Sequence, residues 1–190
     1  MDNEKNKVEF HHQNIHLRKN VYFSNTIFSK ENKELLLFVL LVFTTPLIVT
    51  NQLIVGTIVN ALLIKSAIDY KSKKVFLLSL IPSIAVILGG ILFTNLTPQV
   101  LFVLPFIWLG NFSLMFLMRK IFVQNKVNYL ISSIVSASVK TILLFSFTFI
   151  LFSASLVPIV FLTTFGLNQF LTAMSGSIII FASKKLTKLW

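Results

Sequence analysis

The amino-acid sequence predicts an all-α fold, an integral membrane bundle of six transmembrane helices with both termini in the cytoplasm. Of its 190 residues, 55% are hydrophobic and only 12% are charged, whereas soluble domains carry about 25% charged residues. Apolar runs of membrane-spanning length recur along the chain. The basic residues cluster between alternate runs, which is the charge pattern of a multi-pass membrane protein.

The apolar runs define the predicted elements and domains. A helix needs about 20 mainly apolar residues to cross a hydrocarbon core of about 30 Å. Only Asn51 and Gln52 separate the first two runs, and Pro46 is a candidate kink before them. A single helix of about 35 residues would be about 50 Å long, too long for the bilayer, so two spans are expected there. We place the six spans at 35–50, 52–69, 75–94, 99–118, 128–152 and 158–183, as one domain of residues 35–183 between a polar and basic N-terminal tail (1–34) and a basic C-terminal tail (184–190).

Lysine and arginine determine the predicted topology because cationic loops stay in the cytoplasm. The connections around Asn51–Gln52, Asn95–Gln99 and Ser153–Pro158 contain no charge. All basic residues except Lys140 lie at or near the opposite face, which predicts a location in the inner (cytoplasmic) membrane with both termini inside. These residues are Lys5, Lys7, Arg18, Lys19, Lys30, Lys33, Lys65, Lys71, Lys73, Lys74, Arg119, Lys120, Lys126, Lys184, Lys185 and Lys188.

The composition excludes several kinds of chemistry. The chain has no cysteine, and no aspartate or glutamate follows Asp69, so paired carboxylates and oxygen or thiolate metal cages are not expected in the membrane domain. The six glycines do not form a nucleotide-binding loop. His11, His12 and His16 lie in the polar tail, where we assign no metal. We therefore predict no cofactor, no enzymatic activity and no nucleic-acid partner, since the basic clusters lie between apolar runs.

Polar residues deep in the predicted spans are the candidate substrate-binding residues. Lys140 lies about 12 residues into the fifth span, or about 18 Å from its start, close to the bilayer middle. Amide side chains in three other spans fall at similar depth, about 12–18 Å from their outer ends. Trp108, one turn outward of Asn111, is a candidate to stack on a flat ligand. The predicted site consists of Asn60, Trp108, Asn111, Lys140, Asn168 and Gln169.

Each of these residues also has a structural interpretation. An ammonium at this depth costs several kcal/mol unless it meets a partner, water or an anionic ligand, and Asp69 is expected too far along the axis to pair with Lys140. A substrate carboxylate or phosphate is one counter-ion. Alternatively, Lys140 snorkels, is neutral, or bonds oxygens near Ser136 and Ser138. The amide side chains alternatively form hydrogen bonds between helices. Trp108 alternatively packs against the protein or faces lipid.

Four segments resemble one family of transporters. They are Val55-Gly-Thr-Ile-Val-Asn-Ala-Leu-Leu63, Leu104-Pro-Phe-Ile-Trp-Leu-Gly-Asn111, Ala137-Ser-Val-Lys140 and Phe165-Gly-Leu-Asn-Gln-Phe-Leu-Thr-Ala173. Together they resemble the substrate-binding (S) components of bacterial energy-coupling-factor (ECF) transporters, which capture vitamins and other micronutrients.

This resemblance implies a substrate site near the outer side, under a lid made by the outer loops. It also implies docking onto a transmembrane coupling (T) subunit with two cytoplasmic ATPases. The first span lacks the small residues four apart that dock several such proteins.

Two classes of function follow. The preferred one is a substrate-capturing subunit of an ECF-type importer, in which Asn111, Lys140 and Gln169 hold a small nutrient, an anionic one among the candidates. The alternative is a non-catalytic membrane scaffold or assembly protein that binds another membrane protein or lipid, or a solitary small-solute carrier. A membrane enzyme is a distant third, because Lys140 would be its only deep reactive group.

Overall fold

The computed structural model describes residues 30–70 and 73–186, and within these ranges every element is helical. The all-α prediction is confirmed for this part of the chain. The tails at 1–29 and 187–190, with His11, His12 and His16, lie outside the described residues. The elements are α1 (Lys30–Ile48), α2 (Gln52–Asp69), a 3₁₀ helix (Lys73–Ser79), α3 (Ile81–Gly89), a 3₁₀ turn (Thr94–Leu96), α4 (Thr97–Leu117), a π-helical continuation of it (Met118–Gln124), α5 (Tyr129–Ser153), α6 (Val160–Phe165) and α7 (Leu167–Leu186).

Four described segments are long and apolar enough to cross a membrane, as in a multi-pass membrane protein. They are Gln52–Asp69, Thr94–Gln124, Tyr129–Ser153 and Val160–Ser183, and they match the second, fourth, fifth and sixth predicted spans. Helix α1 begins five residues before the first predicted span and so includes the charged stretch 30–34. The third predicted span corresponds to the shorter apolar segment Val75–Gly89.

The chain divides into two compact units, Met1–Leu37 and Phe38–Trp190, and all contacts described below lie within the second. The first two predicted spans are separate helices, as expected. Helix α1 ends at Ile48, with Pro46 in its last turn. Asn51 then caps α2, because its side-chain oxygen accepts hydrogen bonds from the backbone N–H groups of Leu53 (3.0 Å) and Ile54 (3.1 Å).

The third predicted span is interrupted near Leu80. Pro82 lacks an N–H and stands in the first turn of α3, and the preceding residues adopt the tighter 3₁₀ form. A 3₁₀ helix rises about 2.0 Å per residue, against about 1.5 Å in an α-helix. The two helices Lys73–Ser79 and Ile81–Gly89 therefore amount to about 28 Å of helix in total. Gly90 ends α3 in the left-handed conformation (φ 63°).

The sixth predicted span is divided at Gly166, between α6 and α7. A Cβ at this position would lie 2.5 Å from the Leu162 carbonyl oxygen and 2.9 Å from the Phe145 ring. Only glycine fits such close contacts without displacement of its neighbours. The Gly166 carbonyl then accepts the first hydrogen bond of α7 from Gln169 N (3.0 Å).

Helix α7 packs in parallel against α2 through small residues. A Cβ at Gly56 would meet the Thr172 side chain at 2.8 Å, and one at Gly176 would meet Ala61 N at 2.7 Å. Because these contacts advance along both helices in the same direction, α2 and α7 run parallel. Close approach at small residues is typical of helices packed in membranes.

Helix α5 runs antiparallel to both α4 and α7. Phe106 stacks on Phe147 near one end of α5, and Met118 contacts Ser133 near its other end. Two ends of the bundle follow from these pairings. We call one the uncharged end, formed by the connections 49–51, 90–96 and 154–159, and the other the basic end, formed by 118–128 and the end of α2.

Arg119 organises the basic end. Its guanidinium donates to the carbonyl oxygens of Ala67 (2.9 Å) and Tyr70 at the end of α2, and lies 4.7 Å from the centre of the Phe76 ring. A cation is well placed there, because the last carbonyls of a helix lack intrahelical partners.

Candidate functional site

Lys140 lies at the centre of the described bundle with its side chain 2% exposed. It stands about 17 Å along α5 from Tyr129. Its amine donates hydrogen bonds to Asn60 Oδ1 of α2 at 2.6 Å and to Asn111 Oδ1 of α4 at 2.8 Å. Both asparagines are buried as well. The serine alternative is not the one adopted, since the amine bonds the two asparagines, while Ser136 Oγ donates to the Ser132 carbonyl at 2.7 Å.

The two asparagines extend this network to two further elements. Asn111 Nδ2 donates to the Ser79 carbonyl oxygen at 3.1 Å. Asn60 Nδ2 donates to Thr172 Oγ1 at 3.0 Å, and that hydroxyl donates to the Gln169 carbonyl at 3.2 Å. We call Asn60, Asn111, Lys140 and Thr172 the buried polar layer.

The two carbonyl oxygens at which the network ends determine the direction of every hydrogen bond in the buried polar layer. The carbonyl oxygens of Ser79 and Gln169 can only accept. Each asparagine must therefore turn its NH₂ group outward and its oxygen toward Lys140. Two acceptor oxygens thus face one point, and only a side chain with several donors satisfies both. Lysine, with three N–H donors and no acceptor, has this property.

A cavity of about 80 Å³ adjoins the buried polar layer. It has room for several waters, because one water needs roughly 10–15 Å³ by this measure. Lys140, Asn60 and Asn111 form its inner end, while Gln52 and Phe93 belong to the uncharged end, about 12 Å away along α2. Its lining is mostly apolar: Pro46, Gln52, Val55, Gly56, Val59, Asn60, Pro82, Ser83, Val86, Leu92, Phe93, Val100, Ile107, Asn111, Lys140, Phe165 and Gln169.

The structure brings four of the six predicted site residues to this cavity. Asn60, Asn111, Lys140 and Gln169 all contribute to its lining. Asn168 and Trp108 do not belong to that lining. The Trp108 indole N–H instead donates to Ser83 Oγ at 2.7 Å, which connects α4 to α3. Ser83 itself lines the cavity, so Trp108 lies one side chain behind its wall.

Several residues at the site were missed by the sequence analysis. Thr172 bridges α7 to Asn60, and the Ser79 carbonyl orients Asn111. Phe93 and Phe165 line the outer part of the cavity with nearly parallel rings, 6.0 Å between centroids. The spacing of Thr172 was the available signal, because residues three apart share a helix face and Gln169 was already a candidate.

Among the described residues, the buried Lys140 amine has no acidic partner. No carboxylate side chain occurs after Asp69 in the sequence. Asp69 pairs with Lys65 at 2.5 Å, about 13 Å along α2 from Asn60. Two amide dipoles therefore supply the protein's hydrogen bonds to Lys140 within the described residues.

The fold and the site together define a helical membrane protein in which one buried lysine adjoins an internal cavity. The chain matches no known protein-family model, no curated protein and no solved structure. The description as a helical membrane protein therefore depends on the chain's own sequence and structure.

Proposed function

We propose that the protein is the substrate-capturing membrane subunit of an ECF-type importer of vitamin-like micronutrients. The observation that carries this proposal is the cavity that extends from the uncharged end to Lys140. A membrane protein does not need a mid-depth lysine to fold, and intramembrane ionisable groups usually mark a substrate or ion pathway. The resemblance of the four helical segments to S components points to the same function.

The proposed orientation follows from the charge pattern. The uncharged end faces outward and the basic end faces the cytoplasm, with six spans and both termini inside. A solute then enters between the connections around Gln52 and Phe93 and meets Asn60, Asn111 and Lys140 at the inner end of the cavity. Gln169 contacts the solute from α7. This subunit binds and releases the solute and carries out no chemistry of its own.

The proposed partners supply the energy. The sequence contains no phosphate-binding glycine loop, so the driving force for import comes from a transmembrane coupling subunit with two cytoplasmic ATPases. The basic end, which includes Lys120 and Lys126, is the side on which cytoplasmic partners and anionic lipid are expected.

The buried polar layer also favours a second candidate, a non-catalytic membrane scaffold. The network satisfies both amide oxygens, and it connects α2, α4, α5, α7 and the 3₁₀ helix. Polar contacts of this kind hold helices together without any ligand. In this interpretation the cavity is a packing void.

The test is a mild-detergent pull-down of the tagged chain from its own host, with mass spectrometry of both proteins and small molecules. Recovery of a coupling subunit with ATPases, together with a retained metabolite, is the expected result. A Lys140→Gln variant is expected to keep the proteins and lose the metabolite. Lys120→Gln, which removes an exposed lysine outside the cavity, is the matched control for the small molecule and keeps the metabolite.

Two results would contradict this function. Folded parent chain that recovers neither ATPases nor a small molecule would favour the scaffold. Recovery of a metabolite without ATPases would indicate a solitary carrier.

A further inference from the structure

The charge balance of the cavity restricts what it can hold. Between residues 75 and 183 the charged residues are Arg119, Lys120 and Lys126 at the basic end, and Lys140 in the buried polar layer. The cavity lining therefore contains one cationic group and no acid. A ligand with one negative charge leaves the site neutral. A dianion or a cation leaves an unbalanced charge in a low-dielectric interior, which is costly.

The hydrogen-bonding groups restrict the head of the ligand. Lys140 has three N–H donors and uses two of them on the asparagine oxygens. Both asparagine NH₂ groups point away from Lys140, toward Thr172 and Ser79. The third N–H of Lys140 is therefore the donor left for a head group at this point, and a carboxylate, which only accepts, satisfies it.

The outer part of the cavity restricts the body of the ligand. Its walls are aliphatic and aromatic, with Val55, Val59, Ile107, Phe93 and Phe165 among them. Hydroxyl-rich molecules such as sugars would lose hydrogen bonds to water against such walls. An apolar cavity of about 150 Å³ holds one benzene ring, whereas this cavity measures about 80 Å³. It therefore encloses less than one ring, so a single-ring body fits only with part of the ring in the open mouth at the uncharged end, and a second ring has no room.

We propose that the solute is a small monocarboxylate with an apolar body no larger than one ring, bound with its carboxylate on Lys140 and its body toward Phe93 and Phe165. This inference rests on the proposed solute-binding function and names its substrate class. The single cationic group disfavours amines and doubly charged phosphate esters, and the apolar walls disfavour sugars.

The experiment uses the full chain in nanodiscs and five probes that share one ring: benzoate, benzamide, benzyl alcohol, benzylamine and phenyl phosphate. Thermal unfolding at increasing probe concentration measures binding, since a ligand of the native state raises the midpoint by mass action. Benzoate is expected to bind at least about tenfold more tightly than benzamide, because a charge-assisted hydrogen bond contributes about 1.5–3 kcal/mol. Benzylamine and phenyl phosphate are expected to give no shift.

Two variants test the role of Lys140. Asn60→Asp places a carboxylate beside the amine, so an internal ion pair retains the fold and removes the preference for benzoate. Lys140→Gln is also expected to bind benzoate and benzamide equally. Lys120→Gln is the matched control and keeps the parent's preference.

Three outcomes overturn the substrate class. The first is equal binding of benzamide or benzylamine by the parent, the second is a benzoate preference retained in Asn60→Asp, and the third is no shift with benzoate. If a neutral or cationic probe binds, the solute-binding function survives and only the class is wrong. If no probe binds and the host pull-down retains no metabolite, both proposals fail.

Discussion

The coupling between Lys140 and its two asparagines is the most direct measure of the buried polar layer. Lys140→Met removes the donor and keeps an unbranched side chain, while Asn60→Leu and Asn111→Leu remove the acceptors and keep a similar shape. Two double-mutant cycles, Lys140 with Asn60 and Lys140 with Asn111, isolate the two hydrogen bonds of 2.6 and 2.8 Å. Costs outside each pair, such as the Ser79 carbonyl that loses its donor, cancel in the cycle.

The expected magnitude follows from the charge on the donor. Hydrogen bonds between membrane helices average about 0.6 kcal/mol in such cycles, with a maximum near 1.7. A charged partner roughly doubles the strength of a hydrogen bond. We therefore expect a coupling free energy of about 1–2 kcal/mol for each pair. In both cycles the double variant is expected to lose less free energy of unfolding than the sum of the losses in the two single variants.

The assay is reversible unfolding of the full chain in mixed detergent micelles, followed by circular dichroism. Thr148→Val supplies the control cycle with Lys140, because Thr148 is on the same helix about 12 Å away and shares no hydrogen bond with it. Its coupling is expected to stay within about 0.5 kcal/mol. Couplings below about 0.3 kcal/mol in both test cycles would refute the network, since they lie within ordinary additivity error.

Three further predictions concern stability and are measured by the same unfolding assay. Thr148→Val is expected to raise the free energy of unfolding by about 1 kcal/mol, because the buried hydroxyl has no partner among the described residues. Thr172→Val is expected to lower the free energy of unfolding by a similar amount, since it breaks the bond to Asn60. A change of the same sign and size in both variants would contradict this pair of predictions. Gly176→Ala is expected to cost about 2 kcal/mol or more, because its Cβ would lie 2.7 Å from backbone of α2; a neutral effect would mean that α2 and α7 are farther apart. Asn51→Ala is expected to cost about 1 kcal/mol through loss of the α2 cap, and no loss would contradict that cap.

Depth along the membrane was predictable from the sequence, whereas direction around each helix was not. A rise of about 1.5 Å per residue predicts that Asn60, Asn111 and Lys140 lie at one level, and the structure joins them there. Asn168 and Gln169 illustrate the limit. Consecutive residues point about 100° apart on a helix, so only one of the pair faces the cavity, and the packing of α7 on α2 selects Gln169.

The backbone breaks were also only partly predictable. Asn51 is a recognisable helix cap, and the separation of α1 from α2 followed from length. The 3₁₀ helix Lys73–Ser79 carries no comparable signal, because apolar runs in both helix types look alike. Gly166 lies within an apolar run that shows no sequence signal for a break, and the close approach of Phe145 and the Leu162 carbonyl is what requires glycine at the break there.

The sequence by itself determined the membrane class, the helical fold and the absence of any carboxylate side chain after Asp69, since these depend on composition and on the spacing of charges along one chain. Only the tertiary structure decided which polar groups meet. The asparagine oxygens face Lys140 because Ser79 and Gln169, on two other elements, offer carbonyls that occupy the amide N–H groups. The hydrogen bond between Asn60 and Thr172 joins residues 112 positions apart. This arrangement of polar groups exists only once α2, α4, α5 and α7 have packed together.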